Sequence, residues 1–280
     1  MSNLGVGLLM VFLFYALFLL ACFALVRFLP ASFLGEQAKA VLLWLPPFVG
    51  GEALRNWAAK TAEHLTEKRL RSGRTAETAP QLAAEIEEGA MHAMLPTAGL
   101  SELERIMACP ETGQGMVGVT APEALAIAAY LRKNRSQAEQ QRIYQMAVEN
   151  ADTIAARTRG DSGSPPLPCP LQGEDHVCCV YATRPLRCRP LHAIAIAHET
   201  GDRCEPSFAG SQSQAGTPGG AGHEQTVAEG IEMGVLRALK SARLDASVYE
   251  LNSALATALA MPDAAERWAN GENVFHTRLP

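Results

Sequence analysis

Aromatic side chains make up only 6% of the 280 residues, and the chain has no Walker loop, dinucleotide-type glycine motif, HExxH pair or nucleophile elbow. Each absence removes a chemistry: no glycine-rich cradle for phosphates, no paired histidines for a protease zinc, no strained serine turn. Basic residues are also in short supply, with 24 Lys and Arg against 29 Asp and Glu and a formal net charge of -5. That balance, with so few aromatics to stack on bases or sugars, argues against a nucleic-acid binder and leaves no carbohydrate signature. No internal repeat is visible. Cysteine is sparse at seven residues, yet four of them, Cys169, Cys178, Cys179 and Cys188, fall within one short segment.

Hydrophobicity is concentrated at the start. From Leu4 to Val26 no residue is charged, and an α-helix needs about 20 apolar residues to cross the hydrocarbon layer. The run predicts one transmembrane helix rather than a cleaved signal peptide, which would have a basic start and a shorter apolar stretch. Arg27 and Lys39 follow it. The positive-inside bias therefore predicts a single-pass membrane protein with its bulk in the cytoplasm, where thiols stay reduced. Val41 to Val49 is too short to cross and contains Pro46-Pro47, so it reads as an interfacial segment with Trp44 and Phe48 as anchors, or as packing against the domain. The expected partners are the membrane and a membrane protein, with no nucleic acid.

Beyond residue 50 the hydrophobic period is helical. Leu54, Trp57, Ala58, Ala62 and Leu65 share one face of a first helix that ends at Ser72-Gly73, and Leu82, Ile86 and Ala90 mark a second. Thr120-Ala-Pro-Glu123 announces a helix through Leu131, with a capping hydroxyl, an early proline and a glutamate three residues on. Ser136-Gln-Ala-Glu139 repeats the signal ahead of Ile143, Ala147, Asn150 and Ile154. Residues 205–222 are rich in Gly, Ser, Gln and Ala and read as a flexible linker. Val227, Ile231, Val235 and Leu239 then form one amphipathic helix, and Val248, Leu251, Leu255 and Leu259 another. The expected fold class is mainly α: an N-terminal transmembrane helix followed by a helical soluble domain with a loop-rich cysteine site. The expected units are a transmembrane anchor (1–30), a juxtamembrane helical region (31–80), a cysteine-containing domain (81–204), the linker (205–222) and a C-terminal helical hairpin (223–280).

Thiols as closely spaced as Cys169, Cys179 and Cys188 usually hold a metal or form a disulfide, and the Ser-, Gly- and Pro-rich run 160–168 delivers them on loops. The plainer alternative is a buried core cysteine or two. With Cys22 assigned to the membrane helix, six cysteines remain, which outside the cell would suit three disulfides. Cys178 adjoins Cys179 and is an alternative ligand, Cys204 lies beside the linker, and His176 and His192 flank the cluster.

The order Cys169-Pro-Leu, Cys179-Val-Tyr181, Arg184-Pro185 and Cys188-Arg189 resembles the second half of the YkgJ-like zinc- or iron-chelating family, known for its CxxCxxxCC signature. The likeness spans roughly residues 105–192. Its first, cysteine-rich half is degenerate here: of that run Cys109 and Gly113 are kept, with Thr112, Gly115 and Met116 where cysteines would stand. The resemblance implies one metal site of four thiolates, Cys109, Cys169, Cys179 and Cys188, suited to zinc or an iron-sulfur cluster. It also implies that Arg184, Arg189 and Tyr181 line the cofactor, the arginines offsetting its negative charge, and that Pro185 stiffens the turn. Ordinary surface salt bridging is the alternative for the two arginines.

Three function classes follow. The first is a membrane-anchored metal-binding protein for electron transfer or metal handling. The second is a scaffold or interaction subunit of a membrane complex, with a degenerate or zinc-only site. The third is an enzyme, since flagellin lysine methylases resemble the family, although no acid and base pair in the sequence points to a reaction.

Overall fold

The computed structural model describes residue 21 and residues 51–94, 117–158, 167–173, 178–188 and 221–276. Seven α-helices and two short strands are assigned there: α1 (Gly51–Arg71), α2 (Thr78–Met94), β1 (Gly118–Thr120), α3 (Ala121–Asn134), α4 (Gln137–Thr158), α5 (Ala221–Ser241), β2 (Val248–Glu250), α6 (Leu251–Ala260) and α7 (Ala264–Ala269). The mainly helical expectation agrees, with 69% of the described residues in helix.

The membrane expectation is corrected. No helix among the described residues is long and apolar enough to cross a membrane. Three helices, α1, α4 and α5, have the length, but α1 carries Glu52, Arg55, Lys60 and Glu67, α4 carries Glu139, Arg142, Glu149 and Asp152, and α5 carries Glu229, Glu232, Arg237 and Lys240. Charges at that density are too costly in hydrocarbon. Neither the N-terminal transmembrane helix nor the single-pass membrane location is therefore supported. Residues 4–26 and 41–49, on which those expectations fell, lie outside the described residues except for Ala21.

The largest packing surface joins α1 to α5. Small residues allow it: a Cβ added at Gly230 would sit 2.3 Å from the carbonyl oxygen of Arg55, and one at Gly234 would sit 2.0 Å from that of Ala59. The two helices run in the same direction with backbones nearly touching, and Ala58, Ala59 and Ala62 of α1 are buried there. Helix α1 is well matched to its dipole, with Glu52 in the first turn and Lys68, Arg69 and Arg71 in the last. It stops at Ser72 and Gly73, whose φ of 125° glycine alone adopts without strain. Arg69 then reaches across to Glu85 of α2, and Arg74 donates to the Ala242 carbonyl at the end of α5 at 2.9 Å.

Helix α3 forms the centre. Residues 121 to 128 are buried on every side, as befits a helix of Ala, Leu and Ile with no polar face, and α2, α4 and α6 pack around it. Its start is fixed by Glu123, whose Oε2 accepts the Thr120 N–H at 2.8 Å and the Thr120 hydroxyl at 2.7 Å. Helix α4 starts on the corresponding bonds between Ser136 and Glu139.

The segment expected to open a helix at Val248 is instead a strand. Val248–Glu250 pairs antiparallel with Gly118–Thr120, with Val119 opposite Tyr249, because Gly118 leaves room: a Cβ there would meet the Val248 side chain at 2.8 Å. Glu250 then caps α6, its carboxylate accepting the N–H groups of Asn252 and Ser253 at 2.9 Å each. Each strand thus feeds directly into a central helix. The chief partners of the two C-terminal helices differ: α5 lies on α1, and α6 lies on α4 and α3.

Candidate functional site

The thiol segment crosses the C-terminal end of α3 and the flank of α4 as loops with little regular structure. Gln172 N–H bonds to the Cys169 carbonyl at 3.1 Å, closing a turn, and Cys179 N–H bonds to the Leu171 carbonyl at 2.8 Å. Together with a bridge between Gln172 and Cys178, these bonds lay the Cys169 and Cys179 segments side by side. A 3-10 turn, Tyr181–Thr183, follows, and Cys188 N–H closes a last turn on the Pro185 carbonyl at 2.9 Å.

Burial separates the four cysteines. Cys178 is buried in the same core cluster as Leu171 and Val180, a place suited to a small hydrophobe. Cys169, Cys179 and Cys188 are half-buried. Burial pushes the Cys179 thiol up, against the pull of Arg135 and Arg142 in the other direction.

Arg184 is buried at 5% exposure, with its guanidinium carbon 5.0 Å from the centre of the Tyr181 ring, a cation–π contact. The Tyr181 hydroxyl is buried with no hydrogen-bond partner among the described residues. The guanidinium that reaches a thiol segment is that of Arg135, which donates to the Cys179 carbonyl at 2.7 Å. Arg187, between Pro185 and Cys188, forms a bidentate pair with Glu232 of α5 at 2.7 and 2.8 Å, raising its own pKa further.

Glu123 lies beneath the Arg184-Pro185 turn. Besides capping α3, it accepts the Leu186 N–H at 2.8 Å through Oε1. Burial pushes its carboxyl above the usual range, outweighing the three donors that pull it down. Beside it is a cavity of about 20 Å³ lined by Ile86, Thr120, Glu123, Thr183 and Arg184. That space suits one water molecule.

Asn150 of α4 completes the surroundings. Its amide donates to the Pro168 carbonyl at 2.8 Å, next to Cys169, and to Asn252 Oδ1 at 3.0 Å, while Asn252 donates to Glu250 at 2.6 Å. A buried polar chain therefore runs from the cap of α6 to the first thiol segment.

Cys109, Arg189, His176, His192, Cys22 and Cys204 lie outside the described residues. Among the described residues no three His, Cys, Asp or Glu side chains gather closely enough to hold an ion. The described thiols are soft donors of the right chemistry for zinc or iron, yet they do not amount to a ligand set by themselves, and no step is assigned to a metal. Glu123 was legible in the sequence as a helix cap but not as a loop anchor. Arg135 and Asn150 were missed as site residues, although a polar Asn150 in the stripe of Ile143, Ala147 and Ile154 signals a buried hydrogen bond. No family model, curated protein or solved structure matches the chain.

Proposed function

We propose that this chain is a metal-binding protein, holding one zinc ion or iron-sulfur cluster through Cys109, Cys169, Cys179 and Cys188 and serving metal handling or electron transfer. The observation that carries the reading is the bond from Cys179 N–H to the Leu171 carbonyl, which sets two half-exposed thiol segments side by side. The order of Cys169, Cys179, Tyr181, Arg184, Pro185 and Cys188, which resembles a zinc- or iron-chelating family, supports it. Thiolates favour such soft or borderline metals. Anaerobic purification followed by metal and acid-labile sulfide analysis tests the reading: about one zinc per chain, or iron with matching sulfide, is expected for a single site of four thiolates. A folded chain free of both rejects it.

A scaffold is the second reading, favoured by the absence of a three-donor group among the described residues and by the protein bonds that already hold the loops. On that reading the helices bind another protein and the site is degenerate or zinc-only. A chelator separates an empty site from an occupied one, because a metal bound only to the folded state raises the melting temperature. A scaffold with an empty, degenerate site keeps its melting temperature when the chelator is added, whereas a chain that holds zinc or a cluster loses part of it, and bound iron with sulfide then excludes the zinc-only scaffold.

A further inference from the structure

Three thiol-bearing segments, around Cys169, Cys179 and Cys188, are each held by one side chain from the central helices. Asn150 holds the carbonyl of Pro168, the residue before Cys169, at 2.8 Å. Arg135 holds the carbonyl of Cys179 itself at 2.7 Å. Glu123 holds the N–H of Leu186, within the turn that ends at Cys188, at 2.8 Å.

Each of these side chains is itself fixed. Asn150 is oriented by Asn252, which is oriented in turn by Glu250. Arg135 sits in the short link between α3 and α4, where its backbone is held by the Leu131 carbonyl at 3.0 Å and by Gln140 at 2.9 Å, and its guanidinium pairs with Glu139 at 3.8 Å. Glu123 is clamped by the N–H and hydroxyl of Thr120. A group locked by a second hydrogen bond transmits position, whereas one with a single contact merely follows the loop.

We propose that Glu123, Arg135 and Asn150 are positioning residues that preset the Cys188, Cys179 and Cys169 thiols respectively, without a bound ion. The inference takes from the metal-binding reading only the identity of the thiols to be placed. The short-range bonds within each segment shape its turn but do not themselves reach the helices, and beside Cys188 the Arg187–Glu232 pair adds a second tie, to α5.

The test uses the full chain, reduced and stripped of metal, with iodoacetamide alkylation followed by mass spectrometry at each cysteine. Loss of one ordinary hydrogen bond changes a local opening equilibrium about fivefold. R135M, which has no donor, should therefore raise the rate at Cys179 about that much, with a smaller rise at Cys169, whose segment is bonded to Cys179 through Leu171, and leave Cys188 near wild type, and R135K, which keeps a donor, should restore it. N150L should act on Cys169 and E123A on Cys188. Buried Cys178 serves as the internal control and should stay slow throughout. If N150L or E123A does not fold, N150D and E123M remove the same bonds with little change in volume. Equal changes at all three thiols, no change at any, or failure of R135K to rescue would overturn the inference. Titration with Co²⁺ distinguishes it from the metal-binding reading: a wild type lacking cobalt–thiolate absorption rejects that reading, while the segment-specific rates stand or fall on their own.

Discussion

The Glu123 carboxylate and the Leu186 N–H, 63 residues apart in sequence, meet at 2.8 Å inside the protein. One carboxylate thereby closes the start of α3 and the turn leading to Cys188. Because burial dominates, its pKa is raised, and the folded state binds its proton more tightly than the unfolded state does. The sign follows from linkage: its contribution to stability is fully present below the ordinary carboxylate pKa of about 4.3 and is lost as pH rises through the elevated folded value. Urea unfolding across mildly acidic to neutral pH should show wild type losing stability relative to E123Q as pH rises. Parallel curves would contradict this.

Asn252 lies between two buried polar groups, Asn150 and Glu250. Asn252→Leu removes the acceptor from one and a donor from the other, which should cost about 1–3 kcal/mol in chemical denaturation. The double variant N150L/N252L should cost less than the sum of the two single changes, since both ends of one bond are then removed.

The α1–α5 contact gives a sharper contrast between two glycines. Gly234→Ala forces a methyl against the Ala59 carbonyl and should destabilise by about 1–3 kcal/mol or more, the range for overpacking. Gly51, with nothing within 4 Å of an added Cβ, should accept alanine without loss. Thermal melts of both variants decide it.

Local structure was the most legible part of the sequence. The capping pattern of Thr120 and Glu123 gave α3, and that of Ser136 and Glu139 gave α4, because cap chemistry acts over three residues and is written in order. Strand β2 was missed because three residues are too few for an alternation, and its pairing with β1 depends on Gly118, distant in sequence. The thiol segment announced itself by spacing and by family likeness, but the side chains that hold it did not. Arg135, Asn150 and Glu123 are bound to backbone atoms of other segments, and backbone partners leave no mark in the identity of the residue they belong to. The resemblance pointed to Arg184, which the structure buries over Tyr181.

Adjacent cysteines should behave oppositely. Cys178 fills core space, so Cys178→Ala should cost stability, about 1 kcal/mol, typical of a small core truncation, while leaving metal content unchanged. Calorimetry and metal analysis on the same preparation check both halves.

The most direct test of the central claim is metal content in Cys179→Ser, measured on anaerobically purified full-length protein beside the wild type. If Cys179 is one of four ligands, wild type should carry about one equivalent of zinc, or iron with matching sulfide, and the variant should lose most of it. The loops should stay folded in the variant, because Glu123, Arg135 and Asn150 still hold them. Full stoichiometric metal in Cys179→Ser, or a folded wild type with none, would contradict the account.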